Sequence, residues 1–160
     1  MRERELTHID SSGRLRMVDV TEKNITEREA RAEATLRLSR ETLRQILDRK
    51  VPKGNVLEAA RLAGILAAKK TWELIPLCHP IHLSGIRVDF LVEEERSEIK
   101  VLSTVKALDR TGVEMEALVA ATHASLTIYD MCKAIDREMS IHEVRLTYKS
   151  GGRSGTYQRA

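Results

Sequence analysis

Three stretches of this chain alternate between apolar and polar side chains, and this alternation constrains its fold more than any other feature. In the first stretch, residues 30–38, alanine or leucine occupies every second position and Arg31, Glu33, Thr35 and Arg37 lie between them. A period of two predicts a strand with one buried face, although alanine by itself prefers helix. Residues 86–92 and 99–107 repeat the pattern on either side of a charged segment, which predicts an antiparallel hairpin.

Capping residues and apolar periodicity predict three helices and one further strand. Ser39 can cap the first helix, and Asn55 with Glu58 three residues later resembles a capping box. The predicted elements are a short helix after Ser39, a helix from Asn55 to about Lys70, a long helix from about Val113 to Ile135, and a strand through Val144, Leu146 and Tyr148. Together with the three strands above, this order predicts a ferredoxin-like α+β sandwich, βαββαβ with an additional helix.

The whole chain, residues 1–160, is predicted to form a single domain, because its length is typical of one hydrophobic core. We interpret residues 1–25 as an extended arm and residues 150–160 as a flexible tail rich in glycine and serine. Within the second helix, Ala60, Gly64 and Ala68 form a ridge of small residues that lets another backbone approach closely. Packing within one subunit and packing on a second subunit are both compatible with that ridge.

Composition excludes several classes of protein. The net charge is +3 and only 3% of the residues are aromatic, so neither the charge excess nor the stacking side chains of a nucleic-acid binder are present. The two cysteines form no CxxC pair, and no apolar run has the length of a membrane span. The first residues, Met1-Arg-Glu-Arg-Glu5, are charged where a signal peptide requires an apolar segment. We therefore expect a cytoplasmic protein that binds neither nucleic acid nor membrane.

The stretch Leu74-Ile-Pro-Leu-Cys-His-Pro80 places a thiol and an imidazole between two prolines. Each proline restricts the backbone and removes a hydrogen-bond donor, which predicts a stiff loop that presents Cys78 and His79. These side chains, with His82 and Cys132, are of the types that bind zinc. However, adjacent Cys and His in so tight a loop seldom point at one ion, so no metal site is assigned.

The long helix carries two acids that cannot meet at one small ligand. Glu116 and Asp130 lie 14 residues apart, which places them on a similar face but about 21 Å apart along the axis. Asp130 and Lys133 are neighbours at i and i+3, and the simplest interpretation is an exposed salt bridge. The mostly apolar segment around them makes a fully solvated pair less favoured than usual, and a half-buried pair would be able to exchange protons with a ligand, so both interpretations stay open.

Two further segments offer cations. Lys53 precedes a predicted helix N-terminus, where free N–H groups and the helix dipole attract anions. Lys149 and Arg153 bracket a Ser-Gly-Gly sequence whose backbone can close on phosphate oxygens, although the order of residues is not that of a P-loop. The alternative for Lys53 is a solvated loop lysine, and the alternative for the segment with Lys149 and Arg153 is a flexible chain end without a binding role.

The chain resembles the molybdenum-cofactor biosynthesis protein C family, the cyclic pyranopterin monophosphate synthases, from about Leu6 to Gly155. The motifs that carry the resemblance are Leu6-Thr-His-Ile9, Met17-Val-Asp-Val20, Lys53-Gly54, Ala60-Arg-Leu-Ala-Gly64, the loop ending at Pro80, Val113-Glu-Met-Glu-Ala117, Tyr129-Asp-Met-Cys-Lys133 and Lys149-Ser-Gly-Gly-Arg-Ser-Gly155. The resemblance implies a ferredoxin-like homohexamer, a trimer of dimers, with active sites at subunit interfaces.

The activity implied is conversion of 3′,8-cyclo-7,8-dihydroguanosine 5′-triphosphate, the product of a radical S-adenosylmethionine enzyme, into cyclic pyranopterin monophosphate and pyrophosphate. The residues implied as catalytic are Asp130, Lys133 and Lys53. Those implied as substrate-binding are Leu77, Cys78, His79, Glu114, Met115, Glu116, Lys149 and Arg153. Arg153 stands where the family commonly has lysine, and His123 stands where a small or aliphatic residue is expected.

No tightly bound cofactor is implied, although Mg²⁺ can accompany the triphosphate or the pyrophosphate. Two other classes of function remain open at this point: a non-catalytic ferredoxin-like module that binds a nucleotide, and a metal-dependent hydrolase that uses Cys78, His79 and His82.

Overall fold

The computed structural model describes residues 8–160 and contains one antiparallel sheet. Its strands are β1 (Thr26–Arg37), β2 (Leu83–Glu93), β3 (Glu98–Asp109), β4 (Ser140–Ser150) and β5 (Tyr157–Gln158). The strands are ordered β2-β3-β1-β4-β5 across the sheet. The first four of these have the arrangement of a ferredoxin-like sandwich, so the predicted fold class is confirmed.

Within residues 8–160, four α-helices pack on this sheet or follow its strands, and one 3-10 turn (Glu94–Arg96) connects β2 to β3. The α-helices are α1 (Arg40–Leu47), α2 (Val56–Lys69), α3 (Thr71–Leu74) and α4 (Glu114–Cys132). The predicted caps are confirmed: the Ser39 side chain accepts a hydrogen bond from the Thr42 N–H, and the Asn55 side chain accepts one from the Glu58 N–H. The single turn α3 was not predicted, and α4 ends three residues before the predicted end at Ile135.

Small residues at the centre of the sandwich bring the helices close to the sheet. Ala30, Ala32 and Ala34 of β1 are almost fully buried, and α4 presents a row of alanines on its buried side. That row consists of Ala117, Ala120, Ala121 and Ala124. Because neither surface carries bulky side chains here, α4 lies flat across the sheet, and larger residues such as Leu36, Ile99 and Ile128 fill the surrounding core.

The small-residue ridge of α2 packs within the chain. A Cβ atom at Gly64 would lie 2.8 Å from the Ala120 carbonyl oxygen and 3.2 Å from the Ala124 Cβ. Since a real Cβ does not approach a backbone oxygen so closely, glycine is required for α2 and α4 to contact at this point. The sequence left open whether the ridge packs within one subunit or on a second subunit. In the structure it packs on α4 of the same chain.

The two ends of the described chain contain local structure. In the arm, Ile9 and Leu15 form an isolated antiparallel bridge, whereas residues 1–7 lie outside the described part, including the predicted arm residues before His8. In the tail, β5 pairs with β4 and the Arg159 N–H donates to the Thr147 carbonyl oxygen. Single-domain folding and a flexible tail stay predictions. Among residues 8–160, no helix combines the length and the apolar character needed to cross a bilayer.

Substituting Gly64→Ala should destabilise the protein. In an ordinary helix this change increases stability by about 1 kcal/mol, but here the new methyl group overlaps the α4 backbone. We expect a net loss of about 1–3 kcal/mol, as for other overpacked cores. Urea unfolding followed by circular dichroism measures the change. Lys69→Ala, at an exposed position of the same helix, is the control and should change stability by less than about 0.5 kcal/mol. A Gly64→Ala protein as stable as the parent would contradict the close contact between α2 and α4.

Candidate functional site

The Pro-flanked loop, the N-terminal end of α4 and the arm surround a groove of about 380 Å³, here called the loop groove. Six predicted substrate-binding residues line it: Leu77, Cys78, His79, Glu114, Met115 and Glu116. The stiff loop was predicted, and residues 75–82 are indeed neither helix nor strand. The arm contributes Val18, Val20 and Lys23 to the opposite wall, which the sequence did not indicate.

Glu116 is the most perturbed acid in this groove. Glu116 is only 3% exposed to solvent. Burial, the largest cause, and the nearby carboxylates of Glu114 and Asp109 together raise the pKa of this carboxyl to about 7. Near neutral pH the carboxyl therefore exists in both protonation states, so it can donate as well as accept a hydrogen bond.

Cys78 is a poor nucleophile in this setting. Burial raises the pKa of its thiol, and the negative charge of Glu116 acts in the same direction. The thiolate, which is the reactive form of cysteine, is thereby disfavoured at neutral pH. The geometry suits Cys78 for contact with a ligand and not for covalent catalysis.

A second, larger groove of about 690 Å³, here called the basic groove, adjoins the first. It contains Lys149 and Arg153, the two cations predicted in the tail, together with Lys23, Arg28 and Arg110. Both grooves share Lys23, Thr111, Gly112 and Glu114 in their walls, so the two cavities are continuous. Several cations along one wall are suited to a polyphosphate.

Arg28 organises the basic groove and was not predicted. Its Nε and Nη2 atoms donate to the carbonyl oxygens of Asp109 and Arg110, at 3.2 and 3.0 Å. Gly152, at φ +71°, packs so close that a Cβ there would overlap the guanidinium. A signal was present in the sequence: Arg28 continues the alternation of Ala30, Ala32 and Ala34, so a cation occupies a position on the apolar face.

The predicted catalytic residues form a separate cluster at the C-terminal end of α4, here called the lysine–aspartate cluster. Lys53 Nζ donates to the Asp130 carbonyl oxygen at 2.9 Å and to Oδ2 at 3.1 Å. Lys133 Nζ lies 2.7 Å from Asp130 Oδ1. The three side chains are 48–57% exposed, so in the single chain the Asp130–Lys133 pair has the form of an exposed salt bridge, the simplest of the interpretations that the sequence offered. Lys53 contacts Asp130 because the turn before α2 points it at the end of α4.

The charges of this cluster reinforce one another. Hydrogen bonds from Lys133 and Lys53 lower the pKa of Asp130, and the hydrogen bond to Asp130 raises the pKa of Lys133. At neutral pH the cluster therefore consists of a carboxylate between two ammonium groups. The carboxylate can accept a proton, and either ammonium group can donate one.

Within one chain the lysine–aspartate cluster is remote from both grooves. The continuous helix α4 places Asp130 about 21 Å from Glu116 along its axis. The single chain thus brings together the predicted substrate-binding residues in the two grooves, whereas the predicted catalytic residues lie at the opposite end of the helix.

The residues considered for zinc are dispersed. Cys132 is buried at the C-terminal end of α4, where burial raises the pKa of its thiol to about 11, whereas Cys78 lies near the N-terminal end. His82 is exposed in the loop before β2, and His123 is exposed on α4. Across residues 8–160, no three His, Cys, Asp or Glu side chains are grouped so that they could hold a metal ion.

Comparison with known proteins places this geometry in context. The profile of the MoaC family matches residues 17–152. The chain is 52% identical over 153 residues to a cyclic pyranopterin monophosphate synthase of Desulfatibacillum aliphaticivorans, covering 96% of both proteins. It is 56% identical over 154 residues to the synthase of Pelotomaculum thermopropionicum, covering 96% of this chain and 91% of that protein. For the synthase of Chloroflexus aurantiacus the identity is 53% over 155 residues, with 97% and 95% coverage.

Substituting Gly152→Ala should weaken polyanion binding in the basic groove, because the new methyl group displaces the Arg28 guanidinium. We expect at least a tenfold increase in the Kd for inorganic tripolyphosphate, measured by titration calorimetry. Gly155→Ala is a matched control: Gly155 also has a positive φ, +63°, but a Cβ there meets no atom within 4 Å. Both variants experience the backbone strain of about 1 kcal/mol, so equal binding by the two would contradict the role of Arg28.

Proposed function

Because the chain belongs to the MoaC family, we propose that it is a cyclic pyranopterin monophosphate synthase. It converts 3′,8-cyclo-7,8-dihydroguanosine 5′-triphosphate into cyclic pyranopterin monophosphate and pyrophosphate, an early step of molybdenum cofactor biosynthesis. The reaction is that of a phosphorus–oxygen lyase, since pyrophosphate leaves as the cyclic phosphate forms.

The continuity of the two grooves is the observation that carries this proposal. The loop groove, of about 380 Å³, offers hydrogen-bonding groups for a purine, namely His79, Glu114 and Glu116. The basic groove begins at Glu114 and continues past Arg28, Lys149 and Arg153. A nucleoside triphosphate has the same order of parts, a neutral base joined through a sugar to a chain of anionic groups.

The lysine–aspartate cluster supplies the acid–base chemistry in this proposal. Opening the five-membered ring of the purine and rebuilding it as a pterin requires several proton transfers. We assign Asp130 as the proton acceptor and Lys133 and Lys53 as the proton donors. The lowered pKa of Asp130 and the raised pKa of Lys133 hold these two groups as carboxylate and ammonium, the forms that accept and donate a proton. In the final step a sugar hydroxyl attacks the α-phosphorus, the bond to the β-phosphate oxygen breaks, and the cations stabilise the charge on the departing pyrophosphate.

We further propose that the active site is shared between subunits of a homohexamer, a trimer of dimers. The separation of about 21 Å along α4 supports this arrangement, because one small substrate cannot reach both ends of the same helix. A neighbouring subunit would bring its lysine–aspartate cluster to the two grooves of this one. The single chain would then contain two half-sites, each completed by a different partner.

The setting of the reaction is part of the same proposal. A radical S-adenosylmethionine enzyme supplies the cyclic triphosphate, and Mg²⁺ accompanies the triphosphate or the pyrophosphate while the chain itself holds no cofactor tightly. A cytoplasmic location is supported by Cys78 and Cys132, which are both free, because a reducing compartment keeps unpaired thiols intact.

Asp130→Asn and Lys133→Ala should abolish most turnover without unfolding the protein. Both side chains are more than half exposed, so their loss leaves no buried group without a partner. We expect kcat to fall by at least about 100-fold, the usual contribution of an acid or base, while the circular dichroism spectrum is unchanged. Product formation from the cyclic triphosphate is the measurement.

Lys50 and Asp48 form a matched control, since they make another exposed ion pair, at 2.9 Å, away from both grooves. Lys50→Ala and Asp48→Asn should turn over substrate at the parent rate. Near-normal activity in the Asp130 and Lys133 variants would overturn their catalytic role. It would favour the non-catalytic nucleotide-binding module if the parent protein also formed no product.

Mixed hexamers should recover activity from two inactive proteins. Glu116→Ala and Asp130→Ala proteins, dissociated together and reassembled, should regain part of the activity because some interfaces pair an intact groove with an intact cluster. Each variant reassembled alone is the control and should stay inactive. Verified hetero-oligomers without recovery, from two inactive parents, would contradict a shared site.

A further inference from the structure

The imidazole of His79 is held by the arm. Its Nε2 atom lies 2.7 Å from the carbonyl oxygen of Val18, a residue 61 positions earlier in the chain. A carbonyl oxygen can only accept a hydrogen bond, so Nε2 must carry the proton. In the neutral ring, the lone pair is therefore on Nδ1.

The Nδ1 atom of His79 is accessible and has no hydrogen-bond partner among residues 8–160, where the only hydrogen bond of the ring is made by Nε2. The buried polar atoms without a partner in this part of the chain belong to Thr26, Thr35 and His142, so Nδ1 is not one of them. His79 therefore offers an accessible acceptor and lines the groove in which the ligand base would lie.

The segment that contacts His79, residues 18–23, is here called the arm turn, and it is stabilised by hydrogen bonds of its own. Asp19 Oδ1 accepts hydrogen bonds from the Thr21 N–H at 2.8 Å and from the Thr21 hydroxyl at 2.6 Å. The Lys23 N–H donates to the Val20 carbonyl oxygen at 3.0 Å. Arg110 then fastens the turn to the body of the domain by donating to the carbonyl oxygens of Thr21 and Lys23.

We propose that the arm turn is a positioning element that fixes His79 as the Nε2–H tautomer, so that Nδ1 accepts a hydrogen bond from a ring or exocyclic N–H of the substrate base. His79 thereby selects for a donor on the base. The identity of the base rests on the proposed function, whereas the tautomer and its dependence on the arm turn do not.

Nitrogen-15 NMR of the full-length protein, labelled at histidine, tests the tautomer directly. The His79 signals are assigned from their loss in His79→Gln. At pH 8.5, about two units above the ordinary imidazole pKa, we expect a protonated Nε2 whose hydrogen exchanges slowly, and an unprotonated Nδ1. A proton on Nδ1 would overturn the proposal whether or not the chain is a synthase.

Two substitutions at His79 separate its two nitrogen atoms. Asparagine places an amide oxygen where Nδ1 lies, whereas glutamine places its amide where Nε2 lies. We therefore expect His79→Gln to raise the Kd for guanosine 5′-triphosphate about tenfold, the effect of one hydrogen bond of about 1.4 kcal/mol. His79→Asn keeps the acceptor but loses the contact with Val18, so its loss should be smaller than that of His79→Gln, and neither change should alter the Kd for tripolyphosphate. A loss in His79→Asn at least as large as in His79→Gln would overturn the proposal.

The arm turn is tested by substitutions that preserve or remove its side-chain acceptor. Asp19→Ala removes the acceptor, and should both speed exchange of the His79 Nε2 hydrogen and raise the Kd for guanosine 5′-triphosphate as His79→Gln does. Asp19→Asn keeps the acceptor and should resemble the parent. Asp10→Ala breaks a similar turn elsewhere in the arm, where Asp10 Oδ1 accepts from Ser12 and Arg14, and should leave His79 unchanged.

The results that would overturn the role of the arm turn differ from the results that would overturn the proposed synthase activity. Unchanged exchange and affinity in Asp19→Ala would overturn the role of the arm turn, even in an active synthase. Conversely, a chain with the expected tautomer and no product formation would overturn the proposed function alone.

Discussion

The close packing of small residues around α4 is the constraint on which the rest of the structure depends. The Ala-rich face of α4 lies on Ala30, Ala32 and Ala34 of β1, and Gly64 lets α2 approach the same helix. With so little side-chain volume between them, α4 has one available path across the sheet. The two ends of α4 therefore lie at fixed positions. The candidate functional residues line the two grooves near its N-terminal end or form the lysine–aspartate cluster at its C-terminal end.

The two ends of α4 create opposite electrostatic environments from the same type of side chain. At the N-terminal end, Glu116 is buried beside other acids, and loss of hydration raises its pKa to about 7. At the C-terminal end, Asp130 is exposed between two lysines, and its pKa is lowered. The Glu116 carboxyl is thus present in both protonation states near neutral pH, whereas Asp130 is a carboxylate at rest and its charge raises the pKa of Lys133. A reaction with several proton transfers requires both kinds of group.

Local patterns in the sequence predicted the fold well, because each depended on neighbouring residues. The alternation at Ala30–Leu38 and the caps at Ser39 and Asn55 all report interactions within a few positions, and all are confirmed. Contacts between distant segments were not predictable in the same way. Nothing in the local pattern around Val18 indicates that it contacts His79. The alternation marks Arg28 as a cation on the apolar face of β1, but its contact with Gly152 is visible only in the structure. The sequence left both an exposed and a half-buried Asp130 open, because apolar neighbours along a helix do not determine what covers the other side.

The exposed lysine–aspartate cluster becomes intelligible if a neighbouring subunit covers it. Exposed ion pairs contribute little, because water solvates each charge almost as well as its partner does. Covering Asp130, Lys53 and Lys133 would remove that water and strengthen each interaction, at the cost of desolvating three charges. The cluster has one cation in excess, and a substrate phosphate in the basic groove of the neighbour would neutralise it. Binding of the anionic substrate would then stabilise the assembled interface, so that assembly and substrate affinity increase together.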